Sequence, residues 1–496
     1  MFTLGDARSW IEGARLVGDP GVRVEAVCTD SRLARPGELF VALIGERFDA
    51  HAFIGQVIGA GVRALISSRE ISADARIDGE LRRGVIHGLQ VPDTTLALQQ
   101  LAAGWRREFT LPVIAVTGSN GKTTVKEMIA SILREAFGTA ALWSQGNLNN
   151  GYGVPMSVLR LRAAHRAAVF ELGINQVGEM HQLAPIAQPT VALVNNAQRE
   201  HQEFLHGVEA SARENGVVIG ALPAHGCAVF PGDEVCAPIW KTLAGERRSL
   251  CFGWDAHWPV HASDIHGASF RLHLAGHATP LKLAIAGRHN LRNAMAAAAC
   301  AHAIGIGIEP IVAGLERFQP VDGRLRQIPL HQHALLIDDS YNANPDSVRA
   351  AIDLLAGMPG ERVLVLGDMG EVGAHGPAFH EEMGVHARNC GIDALWLLGT
   401  ATRATAKAFG SRAQHFGDDV RSLSEALSAI VAPSSWEPAK TLSAIVAPPD
   451  AAPSALAGQG EAAQRSLAIL VKGSRFMAME RVVKALTEGS LAGVRA

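Results

Sequence analysis

Lys122 stands between Gly121 and Thr123 in the run Val113-Ile114-Ala115-Val116-Thr117-Gly118-Ser119-Asn120-Gly121-Lys122-Thr123-Thr124. An ammonium, a hydroxyl and glycines at this spacing can together hold a chain of phosphates. The glycines let backbone N–H groups turn inward, Lys122 can reach the outer phosphates, and Thr123 can offer its hydroxyl to Mg²⁺. The implied ligand is a nucleoside triphosphate. The standard pattern has a glycine five positions before Gly121, where this chain has Val116, so a strict motif search would miss it. A glycine-rich turn with an exposed lysine would carry the same letters. The β-branched strand before the loop and the helical run Thr124 to Ala130 after it favour phosphate.

Other chemistry-bearing residues fall at the ends of apolar runs. Ala167-Ala168-Val169-Phe170 ends in Glu171. A carboxylate at a strand's carboxyl end, beside a phosphate loop on a neighbouring strand, is where a nucleotide's magnesium is commonly held. Thr190 to Val194 leads to a loop with His201, which could be a ligand for a second cation but on spacing alone reads as an ordinary loop histidine. The stretch Trp143 to Pro155 sets Asn147, Asn149 and Asn150 among glycines and reads as an irregular segment, either solvated or in polar contact with a ligand. Asn290 and Asn293 open an alanine-rich segment, where capping a helix is the default and facing a base the alternative. Ser31 and Arg32 follow a strand and could grip a phosphate, or simply cap a turn.

These residues need a scaffold of alternating strands and helices. With 496 residues, two or three domains are required. The chain reads as α/β in three parts. Residues 1–90 form a small α/β domain, and 91–110 a linker helix capped by Asp93 or Thr94. Residues 111–319 form a central P-loop-type domain with a mostly parallel sheet, and 320–496 a Rossmann-like α/β domain. Ligands should gather at the carboxyl ends of the parallel strands. Asn293 to Ile308 reads as a buried helix, too weakly apolar to span a membrane. Leu427-Ser428-Ala429-Ile430-Val431-Ala432-Pro433 recurs as Leu442 to Pro448, which reads as a local duplication in a flexible surface insertion over roughly 427–460.

Composition excludes several classes. A net charge of -3 with interspersed signs gives no reason to expect nucleic acid or an acidic membrane surface. The six cysteines have no close pair of the kind that marks a zinc site or redox dithiol, and the N-terminus has no basic start with an apolar block. A cytoplasmic protein with free thiols, expected to act as a monomer, is the reading that remains.

Strung together, these segments resemble the Mur ligase family, ATP-dependent amide-bond enzymes of peptidoglycan synthesis, over nearly the whole chain. The resemblance rests on Thr117 to Thr124 with Lys126-Glu127, on Asn147-Leu148-Asn149-Asn150 with Gly153-Val154-Pro155, and on Asp339-Ser340-Tyr341-Asn342-Ala343-Asn344-Pro345. The last form is similar to that of members joining D-alanyl-D-alanine to the UDP-N-acetylmuramoyl tripeptide. By that resemblance ATP and Mg²⁺ are the cofactors, and Gly118, Ser119, Asn120, Gly121, Lys122, Thr123 and Thr124 hold the triphosphate. Thr123, Glu171 and His201 would hold magnesium, Asn290 and Asn293 would lie beside the adenine, Arg324 would contact the phosphates, and Asp339 the ribose, with Asn344 nearby. Lys122, Glu171, His201 and Arg324 would be catalytic. Ser31, Arg32, Asp49 and His51 would form the nucleotide-sugar pocket. Asn147, Asn149, Asn150, Lys472 and Arg475 would serve substrate, the two cations meeting an anionic group.

One position departs from the family. Many relatives carry a carbamylated lysine that helps hold a second magnesium, where Ala212-Arg213-Glu214-Asn215-Gly216 places Asn215. Either the second cation is held differently, for example by Glu214 or water, or it binds more weakly. Three rivals stand beside the resemblance: another ligase of this architecture (an earlier Mur ligase or folylpolyglutamate synthase), a small-molecule kinase, and a non-catalytic nucleotide switch.

Overall fold

A computed structural model describes residues 1–71, 75–331, 333–431 and 466–493. Its helices and strands alternate through three mostly parallel sheets, the mixed α/β architecture expected from the strand-then-helix pattern.

The first sheet runs Arg15–Val17, His87–Gln90, Ala64–Ser67, Glu38–Val41, Ala26–Cys28, antiparallel only at the Arg15–Val17 edge. The apolar run Val24 to Cys28, which precedes Ser31 and Arg32, is split between two sheets. Arg23–Val24 pairs with Phe2–Thr3 and Ala26–Cys28 joins the main sheet. Helix Thr94–Arg107 follows, with the Asp93 carboxylate accepting from Thr95 N and Leu96 N. Its Trp105 packs edge-on to Phe2 and donates to Leu161 O at 3.2 Å, so one helix touches both domains. Buried Arg106 donates to Ala187 O and Gln188 O, and burial lowers its guanidinium to about 10.

The middle sheet has nine strands. Val113–Thr117 lies between the parallel strands Val191–Val194 and Ala167–Glu171, with Glu171 in register with Val116. Helix Lys122–Phe137 runs back along the sheet, with Val125, Met128, Ile129, Ile132 and Leu133 buried. The alanine-rich helix spans Arg288–Ala303, starting before and ending short of the expected range, because Gly305 and Gly307 break the chain before helix Ile308–Arg317. Its Ala294, Ala296, Ala297, Ala298, Ala299 and Ala301 are fully buried, so small side chains let it pack close to the sheet.

The last sheet runs Arg326–His331, Ala334–Asp339, Leu467–Lys472, Glu361–Leu366, Ala394–Leu397, Ala413–His415, parallel except at the first edge. Leu427 to Val431 of the duplicated motif close helix Val420–Val431. The rest of the expected insertion, within 432–465, lies outside the described residues. No helix among the described residues is long and apolar enough to cross a membrane. All six cysteines are free thiols.

Candidate active site

The strand order brings the loops after Val113–Thr117, Ala167–Glu171 and Val191–Val194 to one edge, opposite the loops of the last domain. Between them lies a cavity of about 920 Å³. Ser119 to Thr124, Asn149, Asn150, Glu171, His201, Asn290 and Asn293 line it from the middle domain. Arg324, Asp339, Asn344, Lys472 and Arg475 line it from the last.

The phosphate loop is held open from beneath. Gly118 has φ +127°, and a Cβ there would stand 3.0 Å from Asn195 N. Gly121, at φ +79°, precedes the helix, and a Cβ would meet Asn293 Oδ1 at 2.7 Å. Only glycine fits both positions, which explains their spacing. Asn120 N donates to Asn196 Oδ1 at 2.8 Å. With no side-chain cap on this helix, its first-turn N–H groups and positive dipole end face the cavity. Lys122 Nζ lies 2.6 Å from Gly118 O, 3.1 Å from Ser119 O and 3.1 Å from Glu200 Oε2, folded over the space a phosphate chain would fill.

Thr123 Oγ1 donates to Glu171 Oε1 at 3.1 Å, and Asn149 Nδ2 donates to the same oxygen at 2.8 Å. Glu171 is 1% exposed, and its Oε2 accepts no hydrogen bond from the protein. A buried carboxylate oxygen left over beside a threonine hydroxyl and a phosphate loop suits a hard cation such as Mg²⁺. His201 Nδ1 lies 2.6 Å from Glu371 Oε2, and the imidazole beside it holds the Glu371 carboxyl below its usual range.

Several expectations are corrected here. Asn290 and Asn293 do not cap their helix, whose N-cap is Gly287. Asn290 Nδ2 donates to Ala286 O at 2.7 Å, Asn293 Nδ2 donates to Asn290 Oδ1, and Asn293 Oδ1 accepts from Asn195. Both turn toward the cavity, where burial lowers neighbouring His289 to about 4 and keeps it neutral. The asparagine loop is not irregular throughout, since Gly153–Val158 is a helix and Asn150 Oδ1 accepts from Gly153 N at its start. Asn147 is exposed and does not line the cavity.

Lys472 is not a loose cation. Its buried Nζ lies 2.6 Å from Asp339 Oδ2 and donates to Asn342 O. Burial raises the Asp339 carboxyl and Lys472 opposes the shift. Arg475 is exposed and pairs with Glu480 at 2.8 Å. Arg324 lies over the Tyr341 ring at 4.2 Å. Asn344 caps helix Pro345–Ala356 and exchanges amide hydrogen bonds with Asn120, tying the two loops.

Ser31 and Arg32, and Asp49 and His51, follow the adjacent parallel strands Ala26–Cys28 and Glu38–Val41, so both pairs lie at one edge of the first sheet, with Asp49 capping the short 3-10 helix Ala50–Phe53 that carries His51. None lines the central cavity. Arg32 is exposed and folds onto Asp30, while Asp49 accepts from His51 N and lies 2.6 Å from His51 Nδ1.

Asn215 is fully buried with both ends of its amide in use. Oδ1 accepts from Thr117 Oγ1 at 2.5 Å and Gly118 N at 2.9 Å, and Nδ2 donates to Ser211 O. Glu214 Oε1 accepts from Met180 N at 2.9 Å, and Glu214 does not line the cavity.

Sequence reasoning assigned no role to Arg199, Glu200 or Lys126, the last of which enters only through the Lys126-Glu127 motif. Arg199 joins Asp346 and Glu382 of the last domain. Fully buried Lys126 donates to Ser144 O and Gly146 O, holding the loop that carries Asn149. Its place one turn after Lys122 was the available signal.

A three-domain α/β chain with a phosphate loop facing an arginine and a carboxylate on another domain has the form of a nucleotide-dependent ligase. The family profiles agree: residues 23–106 match the Mur ligase family catalytic domain, 116–301 the Mur ligase middle domain, and 323–438 the Mur ligase glutamate ligase domain. The chain belongs to the Mur ligase family. Within it, the chain is 39% identical over 472 residues to the UDP-N-acetylmuramoyl-tripeptide–D-alanyl-D-alanine ligase of Escherichia coli K12, covering 94% of each. It is 36% identical to the protein of the same name from Haemophilus influenzae, covering 82% of this chain and 87% of the relative. A crystal structure of MurF from Acinetobacter baumannii superposes with a TM-score of 0.84 at 33% identity, covering 98% of this chain and 99% of that one.

Proposed function

We infer that this protein joins D-alanyl-D-alanine to UDP-N-acetylmuramoyl-tripeptide with cleavage of ATP to ADP and phosphate, in peptidoglycan precursor synthesis. The observation that carries the reading is the cavity shared by the phosphate loop, Glu171, Arg324 and Asp339. The kinship above names the substrates.

A carboxylate is a poor electrophile, so a carboxylate oxygen of the tripeptide attacks the γ-phosphorus of ATP and ADP leaves. The dipeptide's uncharged amine then attacks the acyl phosphate carbon, loses its proton and expels phosphate. The protein's part is positioning and charge stabilisation. Lys122 turns from the loop carbonyls to the outer phosphates, and the uncapped N–H groups of Lys122, Thr123 and Thr124 at the helix start cradle them. Arg324 approaches the phosphates from the last domain, and Asp339, oriented by Lys472, accepts from the ribose. Asn290 and Asn293 flank the base with neutral His289. Thr123 and Glu171 would hold Mg²⁺ and His201 a second cation, and such ions, when bound, would neutralise charge on the transferring group. Asn149 orients Glu171. Closure of the middle and last domains keeps water from the acyl phosphate. Ser31, Arg32, Asp49 and His51 form the nucleotide-sugar pocket on the first domain.

Mass spectrometry of the product from UDP-muramoyl-tripeptide, ATP and D-alanyl-D-alanine tests the reaction. The expected product gains the dipeptide mass, and phosphate is released only when the dipeptide is present. A folded, ATP-binding enzyme that makes no such product, or that works equally with single amino acids or glutamate, overturns the assignment. Lys122→Ala with full product formation overturns the phosphate-loop role.

A further inference from the structure

We propose that Glu200 is a ligand for a divalent cation that enters together with the nucleotide, shared with the neighbouring His201. The proposal rests on the nucleotide reading of the phosphate loop and deepens it. Glu200 is 4% exposed and lines the cavity. Its Oε2 lies 3.1 Å from Lys122 Nζ and 4.0 Å from His201 Nε2, while its Oε1 is buried and accepts no hydrogen bond from the protein.

The carboxylate therefore pairs with the one ammonium that the phosphates require. When Lys122 turns to the γ-phosphate, Glu200 is left as a buried anion next to more negative charge, a state that costs heavily unless a cation takes the lysine's place. A hard divalent ion meets that need, because it takes carboxylate and phosphate oxygens together. The His201 ring is already oriented for it. Glu371 Oε2 lies close to Nδ1, at 2.6 Å, and Nε2 is the nitrogen that faces Glu200, 4.0 Å from its Oε2, which leaves Nε2 to ligate.

The nearby alternatives are occupied. Glu214 Oε1 accepts from Met180 N, Asn215 has both ends of its amide bonded to protein, and neither lines the cavity. Helix Val208–Gly220 thus offers neither of these side chains to a cation, and Glu200 is the buried carboxylate beside His201 with an oxygen to spare.

The test is a Mn²⁺ titration of the full chain, followed by electron paramagnetic resonance of free and bound metal, with and without a non-hydrolysable ATP analogue. The wild type should bind two Mn²⁺ per chain with the analogue. Glu200→Gln should keep one and bind the second about tenfold or more weakly, and His201→Gln should do the same. If Glu200 serves only as a partner for Lys122, Glu200→Gln will hold two Mn²⁺ with unchanged affinity and bind the analogue more tightly, which overturns the proposal. A wild type that binds the analogue with one Mn²⁺ overturns it too. A wild type that does not bind the analogue overturns the nucleotide reading itself. Should Glu200→Gln fail to fold, His201→Gln decides: unchanged binding of both ions rejects the shared site.

Discussion

Replacing Arg199 with alanine should open the seam that closes the nucleotide cavity. Arg199 leaves the middle domain to meet two carboxylates of the last: Nη2 lies 2.7 Å from Asp346 Oδ1 and Nη1 2.7 Å from Glu382 Oε2. Its backbone N–H also donates to Asp346 Oδ2 at 2.7 Å, and its guanidinium lies 5.2 Å from the centre of the Phe379 ring. Charged hydrogen bonds contribute about 1.5–3 kcal/mol each when buried, whereas exposed ion pairs contribute about 0–1 kcal/mol. The three side chains are 22%, 23% and 31% exposed, between those limits. Truncation leaves neither carboxylate bare, since Glu382 keeps Arg349 and Asp346 keeps the Arg199 backbone. About 2 kcal/mol is thus lost from the closed arrangement, roughly a 30-fold shift toward the open one. Where closure is needed to assemble the site, apparent nucleotide affinity falls by up to about that factor, while kcat at saturation changes less. Calorimetric ADP binding and small-angle scattering measure the two consequences. Unchanged affinity together with an unchanged radius of gyration would refute the reasoning.

The same seam should be sensitive to acid. The Arg199 hydrogen bond holds the Glu382 carboxyl at about 2 against an ordinary 4.5. A depressed carboxylate stabilises the fold above the unfolded value, so this contribution is complete above pH about 4.5 and is lost as pH falls toward 2. The melting difference between wild type and Glu382→Gln should therefore shrink below pH 4.5, and a difference that stays constant down to pH 3 contradicts the assignment. Asn215→Ala removes the acceptor of Thr117 Oγ1 and Gly118 N in a fully buried position. It should cost about 1–3 kcal/mol in urea unfolding and weaken nucleotide binding through the loop, whereas wild-type stability would show that the amide is dispensable.

Much of the scaffold is legible in local sequence because periodicity and caps are local properties. The β-branched run ending at Thr117, the Asp93 cap and the alternation through Leu470 each depend on neighbours a few positions away. The split at Glu25 and the short helix at Gly153 were less visible. Which sheet receives each half of the split run depends on distant partners, Phe2–Thr3 for one and Glu38–Val41 for the other, and helix Gly153–Val158 packs against the distant helix Thr94–Arg107.

For the site, residue types and strand ends place Lys122, Thr123 and Glu171 together, since a parallel sheet collects such loops at one edge. Side-chain partners are another matter. That Lys472 is held by Asp339, that Asn215 fastens the phosphate loop, and that Glu200 and Arg199 face the cavity and the seam are decided by contacts across tens to hundreds of positions in the chain. A sequence states which charges exist; desolvation and pairing, set only when the domains pack, decide which of them remain free to meet a ligand.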